Sequence, residues 1–401
     1  MLIYALSMLL VLGISSTDIF ISSLPAIAKH YQVSIDVVTM TLSAATAGVA
    51  IGSLLAAMFS DRFGRRATLL WSNGAYIIFS FLIGYTDNIW VMIALRFLQM
   101  GSVSFNFVLS RQIIKDKFPI REQVSANSIM ASGAVLSPAL APTVGAYIAL
   151  WFGWKYCFYF SSLFGIALWL YLYFKFEESL PAAKKLTSLP TPWQFAAKYF
   201  SLFKSRAFLG FVLQYGFGYA SFFAFISISS FVYINVLKVS PTAYTWVYLL
   251  LAIAYLVGNS INQMMNKRDY NIDKIIYTGM ALTFVGALLL NAHAIFKTHT
   301  EIIVILTIAI FIMRAGLGIM NSPVQIRLLN IHQDKSGEAV GMLFFVQFVF
   351  SSMSCAWVSS FGDDVITALI VVSSILTVLM FPAYWLAVRT KNSNLIKGDE
   401  K

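Results

Sequence analysis

Apolar residues fill this chain in long blocks broken by short polar segments. The blocks run to roughly 18–28 residues, each long enough to cross a hydrocarbon core as a helix, which takes about 20. The pattern predicts twelve spans, at 2–28, 37–60, 67–86, 89–110, 123–150, 154–176, 207–237, 243–266, 275–295, 301–325, 337–361 and 364–388. The expected fold class is all-α and integral to a membrane.

The longest polar interruption, Glu177–Arg206, divides the spans six and six. The expected organisation is an N-terminal six-helix bundle over 1–176, a cytoplasmic linker over 177–206, and a second six-helix bundle with a short cytoplasmic tail over 207–401. Within the linker, "TPWQFAAKYFSLFKSR" puts Trp193, Ala196, Phe200 and Phe203 on one helical stripe, behind a Thr191–Pro192 cap and first turn. Lys198, Lys204 and Arg206 are placed to meet lipid phosphates. The reading is an amphipathic helix lying on the membrane surface. The alternative is a loose linker whose aromatics are incidental.

The two halves echo each other. Gly52 stands nine residues before Asp61-Arg62 after span two, and Gly258 stands nine before Lys267-Arg268 after span eight. Spans four and ten each carry one arginine, Arg96 and Arg314, followed by Gly101 and by Gly316 and Gly318. Duplicated transporter folds show this kind of weak symmetry, with the substrate site near the midplane between the repeats.

Composition agrees with the pattern: hydrophobic residues make up 59% of the chain, charged residues 11%, and mean hydropathy is +0.77. A soluble domain carries roughly 25% charged residues. The net charge of +11 would point to nucleic acid until the basic residues are located. Inner loops and tail hold twenty-two of the 28 lysines and arginines, the outer loops only Lys29, Lys155, Lys238 and Lys297. That asymmetry orients both termini to the cytoplasm. Nucleic acid then drops out as a partner. A cleaved signal peptide is not expected, because the start lacks a basic region and a small-residue cleavage site. Cys157 and Cys355 lie inside spans, with no metal spacing and no structural disulfide expected.

Three charged residues remain well inside the spans: Asp18, Arg96 and Arg314. A charge at a helix centre costs at least about 2.5–3.5 kcal/mol on insertion scales, so such residues face a wet cavity or one another. Asp18 lies eleven residues before Lys29 and Arg96 eight after Asn88. At ~1.5 Å per residue those are similar depths, roughly 16 and 12 Å, and a direct or water-bridged contact is geometrically open. One reading makes Asp18 a proton-binding switch, ionised when it faces water and neutral when it does not. The other is a structural ion pair or a kink satisfied by Ser15, Ser16 and Thr17. For Arg314 the choice is between a substrate-binding and a structural role.

Two further motifs stand out. "DRFGRR" offers Gly64 for a tight turn, Asp61 as an acceptor toward a neighbouring helix N-terminus, and Arg62, Arg65 and Arg66 on the inner surface. "SGAVLSPALAPTVGAY" in span five carries Gly133, Pro138, Pro142 and Gly145; prolines four apart bend a helix and the glycines let neighbours close in.

Together these residues resemble the major facilitator superfamily, specifically its twelve-span drug/proton antiporters of the Bcr/CflA type, over nearly the whole chain. "GSLLAAMFSDRFGRR" is similar to the family's inner-loop gating signature, with Gly52, Asp61, Arg62, Gly64, Arg65 and Arg66 in place. "LRFLQMG" resembles the span-four motif whose arginine is associated with proton coupling, and "SPALAPTVG" the antiporter span-five motif. "STDIFISSLP" is similar to the span-one motif with its coupling acid, "FVYINVLKVSPTAY" to the junction of spans seven and eight, and "EESLP" to the close of the first half. Departures are Ser22 where the family usually has proline, a span-five motif short of glycines, and Leu10 where some relatives carry a second acid.

The resemblance implies two pseudo-symmetric six-helix bundles, with spans one, four, seven and ten lining a central cavity. All three intramembrane charges fall on that set. Span seven would add Gln214, Tyr215, Tyr219 and Ser227, and span ten Asn321 and Gln325. Apolar walls with a few polar groups suit a drug-sized ligand. The function implied is multidrug efflux: proton-coupled export of small organic molecules across the bacterial inner membrane, with Asp18 and Arg96 as the coupling pair. The alternative is transport of an endogenous anionic metabolite or siderophore, as exporter or importer. His30, His293, His299 and His332 are scattered, and no metal or nucleophile constellation marks an enzyme. No cofactor is expected. The expected partners are membrane lipid, protons and a small-molecule substrate, with the chain acting as a monomer.

Overall fold

The computed structural model describes residues 2–119, 130, 137–138, 140–181, 185, 191–292, 298–331, 336–362 and 364–389. The start of span five with Gly133, much of the linker, and the tail beyond Arg389 lie outside the described residues.

Eleven described helices are long and apolar enough to cross a membrane: Leu2–Tyr31, Ile35–Phe63, Arg65–Tyr85, Ile89–Lys117, Lys155–Lys175, Arg206–Val236, Pro241–Lys267, Ile272–Leu290, His299–Leu328, Glu338–Ser359 and Val365–Arg389. The described remainder of span five is the apolar helix Leu140–Phe152. The fold is thus the all-helical membrane bundle that the apolar blocks predict. Helices suit hydrocarbon because each satisfies its own backbone there.

Span one is not continuous. Its first helix, Leu2–Asp18, stops at the aspartate; a tight turn at Ile21–Ser23 follows, and a second helix, Leu24–Tyr31, completes the crossing. Pro25 sits in the first turn of that second helix, where its missing N–H costs nothing. Span seven ends in a wide π-helical turn, Phe231–Val236.

The chain forms two compact units, Met1–Leu189 with Ile226–Ala252 and Cys355–Val365, and Pro190–Phe225 with Ile253–Ser354 and Ile366–Lys401. In the first unit, spans two and four cross at small residues. A Cβ at Gly48 would collide with the Phe97 carbonyl oxygen, and one at Gly52 with the Gly101 carbonyl and the Ser104 hydroxyl. Span five closes on span one in the same way, since a Cβ at Gly145 would enter the Ile19 carbonyl just beyond Asp18. Thr39 of span two hydrogen-bonds Ser359 at the end of span eleven. In the second unit, Gly258 of span eight abuts the Ala315 carbonyl of span ten, and Gly279 and Gly316 bring spans nine and ten together. Gly52 and Gly258, paired in the sequence by their spacing, make equivalent close crossings. Lipid is as apolar as leucine, so close packing rather than burial holds such helices together.

The linker helix runs Pro192–Phe200 behind a capping box: the Gln194 N–H donates to Thr191 Oγ1 at 3.3 Å and the Thr191 N–H to Gln194 Oε1 at 3.0 Å. Trp193 is 82% exposed and Phe200 65%, while Tyr199 and Leu202 are buried in their unit.

Replacing Gly48 or Gly258 by leucine should lower stability by about 1–3 kcal/mol through overpacking at the crossings. Thermal unfolding of the detergent-solubilised protein measures this; midpoints equal to wild type would show that the helices can move apart at no cost.

Candidate functional site

Arg96 is the largest fully buried side chain of the first unit. One of its nitrogens, Nη1, donates to the Ser16 carbonyl at 3.1 Å and to Gln99 Oε1 at 2.5 Å. The ring of Phe20 lies 4.4 Å from the guanidinium carbon and that of Phe158 5.7 Å. Ser16 lies in the last turn of the first helix, where carbonyls lose their intrahelical donors. The guanidinium replaces that missing donor. Behind it, Gln99 Nε2 donates to Ser80 Oγ at 2.7 Å, Ser80 to the Tyr76 carbonyl at 2.7 Å, and Tyr76 OH bonds Ser16 Oγ at 2.6 Å. The ring thus closes on span one.

Asp18 is buried at the end of the same helix, two residues beyond the carbonyl that Arg96 holds. The two side chains, which the sequence places at similar depth, form no ion pair in this conformation; Arg96 Nε and Nη2 are buried without a hydrogen-bond partner. Tyr244 and Tyr248 of span eight are buried in the same unit as Asp18. Tyr244 OH bonds Ser229 Oγ at 2.5 Å, just ahead of the wide turn of span seven. Ser22, in the family's proline position, is buried in the tight turn with its hydroxyl unbonded.

The second polar centre lies in the other unit. Tyr215 OH donates to Asn321 Oδ1 at 2.7 Å, and Gln325 Nε2 donates to the same oxygen at 2.8 Å and to Tyr215 OH at 3.2 Å. Asn321 Nδ2 in turn donates to Tyr255 OH of span eight. Arg314 sits between two rings, its guanidinium carbon 4.2 Å from Phe222 and 4.7 Å from Tyr255. Desolvated cation–π contacts are worth about 2 kcal/mol, against several kcal/mol to take an ion out of water, so the rings offset only part of the cost. The Tyr219 ring lies 5.5 Å from that of Tyr215, tilted by 35°. Gln214 is fully buried, its Nε2 3.1 Å from Met320 Sδ and its Oε1 unpartnered. Ser227 is buried beside Cys355 in the first unit and takes no part in this cluster.

The loop between spans two and three forms a third centre. Gly64 adopts φ +96° and lets Arg65 start the next helix. Buried Arg65 donates to Asp61 Oδ1 at 2.6 Å, to Ser60 Oγ at 2.6 Å and to Asp116 Oδ2 of span four at 3.1 Å. Arg66 donates to the Phe176 and Tyr173 carbonyls, both at 2.7 Å, and Arg62 is half-buried at the end of span two. Asp61 was expected to face a helix N-terminus; its bond among the described contacts is to Arg65. Glu178 Oε1 accepts three backbone N–H groups, from Arg65 at 2.9 Å, Ser179 at 2.9 Å and Leu180 at 3.0 Å. The second unit mirrors this with reversed charge: Asp273 at the start of span nine meets Arg327 near the end of span ten at 3.5 Å. Pro142 and Gly145 of span five are buried and Pro138 half-buried.

Sequence reasoning missed Gln99, Tyr76, Tyr244, Tyr248, Tyr255, Phe222, Asp116 and Asp273. Most are polar residues of ordinary type at span positions, distinguished only by what they face. Asp116 and Asp273, near span ends opposite arginines, carried a readable signal.

A sequence profile described as "Major Facilitator Superfamily" matches residues 5–354. The chain belongs to that superfamily. Its relatives include a bicyclomycin resistance protein homolog of Haemophilus influenzae, 26% identical over 72% of this chain and 71% of that protein. The chloramphenicol resistance protein CraA of Acinetobacter baumannii is 24% identical over 82% and 79%. These relatives fit the drug/proton antiporter type that the motifs resemble. Among solved structures, a bacterial homolog of the human lysosomal transporter Spinster superposes with a TM-score of 0.75 at 14% identity, covering 98% of this chain and 97% of that one. The chain is a multi-pass membrane transporter, not an enzyme.

Glu178→Ala should cost about 1–3 kcal/mol by stranding backbone donors, toward the lower end because the carboxylate is part-exposed. Glu178→Gln should cost less. Thermal midpoints of the two variants compare them; equal losses would deny the carboxylate its capping role.

Proposed function

We propose that this superfamily member exports small drug-like organic molecules in exchange for protons, by alternating access, across a bacterial inner membrane with both termini cytoplasmic. Relatives named for resistance to bicyclomycin and chloramphenicol support export of such compounds. The observation that carries proton coupling is the break of span one at Asp18, held by the Arg96 bond to the Ser16 carbonyl. A buried carboxylate at a helix break sits where a small rearrangement exposes it to water on one side and withdraws it on the other. Arg96 supports the break without neutralising the acid. Loading and release of a proton would then bias which side is open. The Arg65 centre, joining spans two, three and four with the start of the linker, would hold one of the two closed arrangements. Protons, lipid and substrate are the partners of this reading, with the chain acting as a monomer.

A second reading, transport of an anionic metabolite or siderophore in either direction, draws on Arg314, which has no carboxylate partner among the described residues.

In proteoliposomes, an imposed pH gradient should drive chloramphenicol or bicyclomycin movement. Asp18→Asn should reduce that flux to the background of empty vesicles while leaving the thermal midpoint near wild type. Flux indifferent both to the gradient and to the substitution would sink proton coupling.

A further inference from the structure

In the polar cluster of the second unit the Asn321 oxygen is spent, while donors remain beside Arg314. Asn321 Oδ1 takes two hydrogen bonds, from Tyr215 OH and Gln325 Nε2. Tyr255 OH already accepts from Asn321 Nδ2, so its own proton is left to give. Arg314 forms no hydrogen bond or ion pair with any described residue, and its Nη1 is buried without a partner. Two rings face it, Phe222 at 4.2 Å and Tyr255 at 4.7 Å, which fix the guanidinium but take none of its hydrogens. Arg96 differs: it is fully buried and has given hydrogens to Ser16 and Gln99. Arg314 is half-buried.

From this geometry we propose that Arg314, with the Tyr255 hydroxyl beside it, is the subsite for an acceptor-bearing anionic group of the substrate, a carboxylate or sulfonate on an aromatic or other flat apolar body. A guanidinium is a planar fork that matches two carboxylate oxygens, and one clamped between rings has lost little further freedom by binding. An unpaired cation in a membrane span is costly, and a bound anion would supply the charge that no described residue gives. The flanking rings of Phe222 and Tyr255, in a unit that also holds the adjoining rings of Tyr219 and Tyr215, suit a flat ligand body. The proposal rests on reading this cluster as the substrate site, and it narrows the drug-like class to ligands with such a group.

The test is ligand binding without any pH gradient, to protein in phosphatidylcholine nanodiscs, using naphthoate, naphthamide and naphthylmethylammonium as one matched set. Wild type should prefer naphthoate. Arg314→Gln should weaken naphthoate by about tenfold or more, the size of one lost charge-assisted contact, and leave the other two within about twofold. Tyr255→Phe, which keeps the ring and removes the donor, should weaken naphthoate selectively but less, and serves where Arg314→Gln fails to fold. Phosphatidylglycerol nanodiscs should give the same affinities; naphthoate binding suppressed there would assign the guanidinium to lipid headgroups and overturn the proposal. Equal losses for all three probes, or none, would also overturn it. Proton-driven flux of a neutral drug without naphthoate preference would leave antiport standing and this subsite refuted. Naphthoate preference without proton-driven flux would do the reverse.

Discussion

The bond from Arg96 to the Ser16 carbonyl is the contact on which the first unit's polar interior depends. Hydrocarbon offers no hydrogen bonds, so a helix that stops inside a span must find donors for its freed carbonyls within the protein. Arg96 supplies one at 3.1 Å, and the adjacent rings of Phe20 and Phe158 pack beside the guanidinium. Gln99, Ser80, Tyr76 and Ser16 then close a circuit of bonds around it. With that circuit in place span one can break at Asp18, and Gly145 can press against the Ile19 carbonyl just beyond. The acid lies two residues beyond the carbonyl that the arginine holds.

The second unit holds its arginine by another means. Arg314 occupies span ten as Arg96 occupies span four, but it meets no freed carbonyl and no amide oxygen. Two aromatic faces carry it, one of them the Tyr255 ring whose hydroxyl belongs to the Asn321 cluster. A duplicated plan has thus been put to two uses: one cation locks a backbone break, the other keeps its hydrogens to give. The loop ends show the same divergence, with Arg65 facing Asp116 in one unit and Asp273 facing Arg327 in the other. The attraction is kept while the signs exchange sides, because a charge pair is indifferent to which helix supplies which partner.

Much of this was legible in advance. Apolar block length alone predicts the spans, since a helix must be about 20 residues long to cross hydrocarbon whatever its neighbours are. Asp18, Arg96 and Arg314 stand out for a similar reason: a charge inside such a block is costly enough to need an explanation. The Gly52 and Gly258 echo was visible as spacing, and the Thr191 cap as a local pattern of Thr, Pro and Gln. Each of these is a matter of the chain against its solvent or against itself within a few residues.

What only the tertiary structure decided is which of those residues meet. Depth in the membrane made a contact between Asp18 and Arg96 geometrically open, yet the arginine turns to the Ser16 backbone, because rotation about a helix axis, not depth, selects a side chain's neighbour. Tyr76 and Tyr255 are unremarkable in a chain with 19 tyrosines until packing sets one in the Arg96 circuit and the other under Arg314. The sequence by itself determined the helices, their number and the charges that had to be explained, through hydrophobic length and the cost of burying a charge. Partners were decided by helix rotation and close approach, which depend on many distant contacts at once and leave no short pattern along the chain.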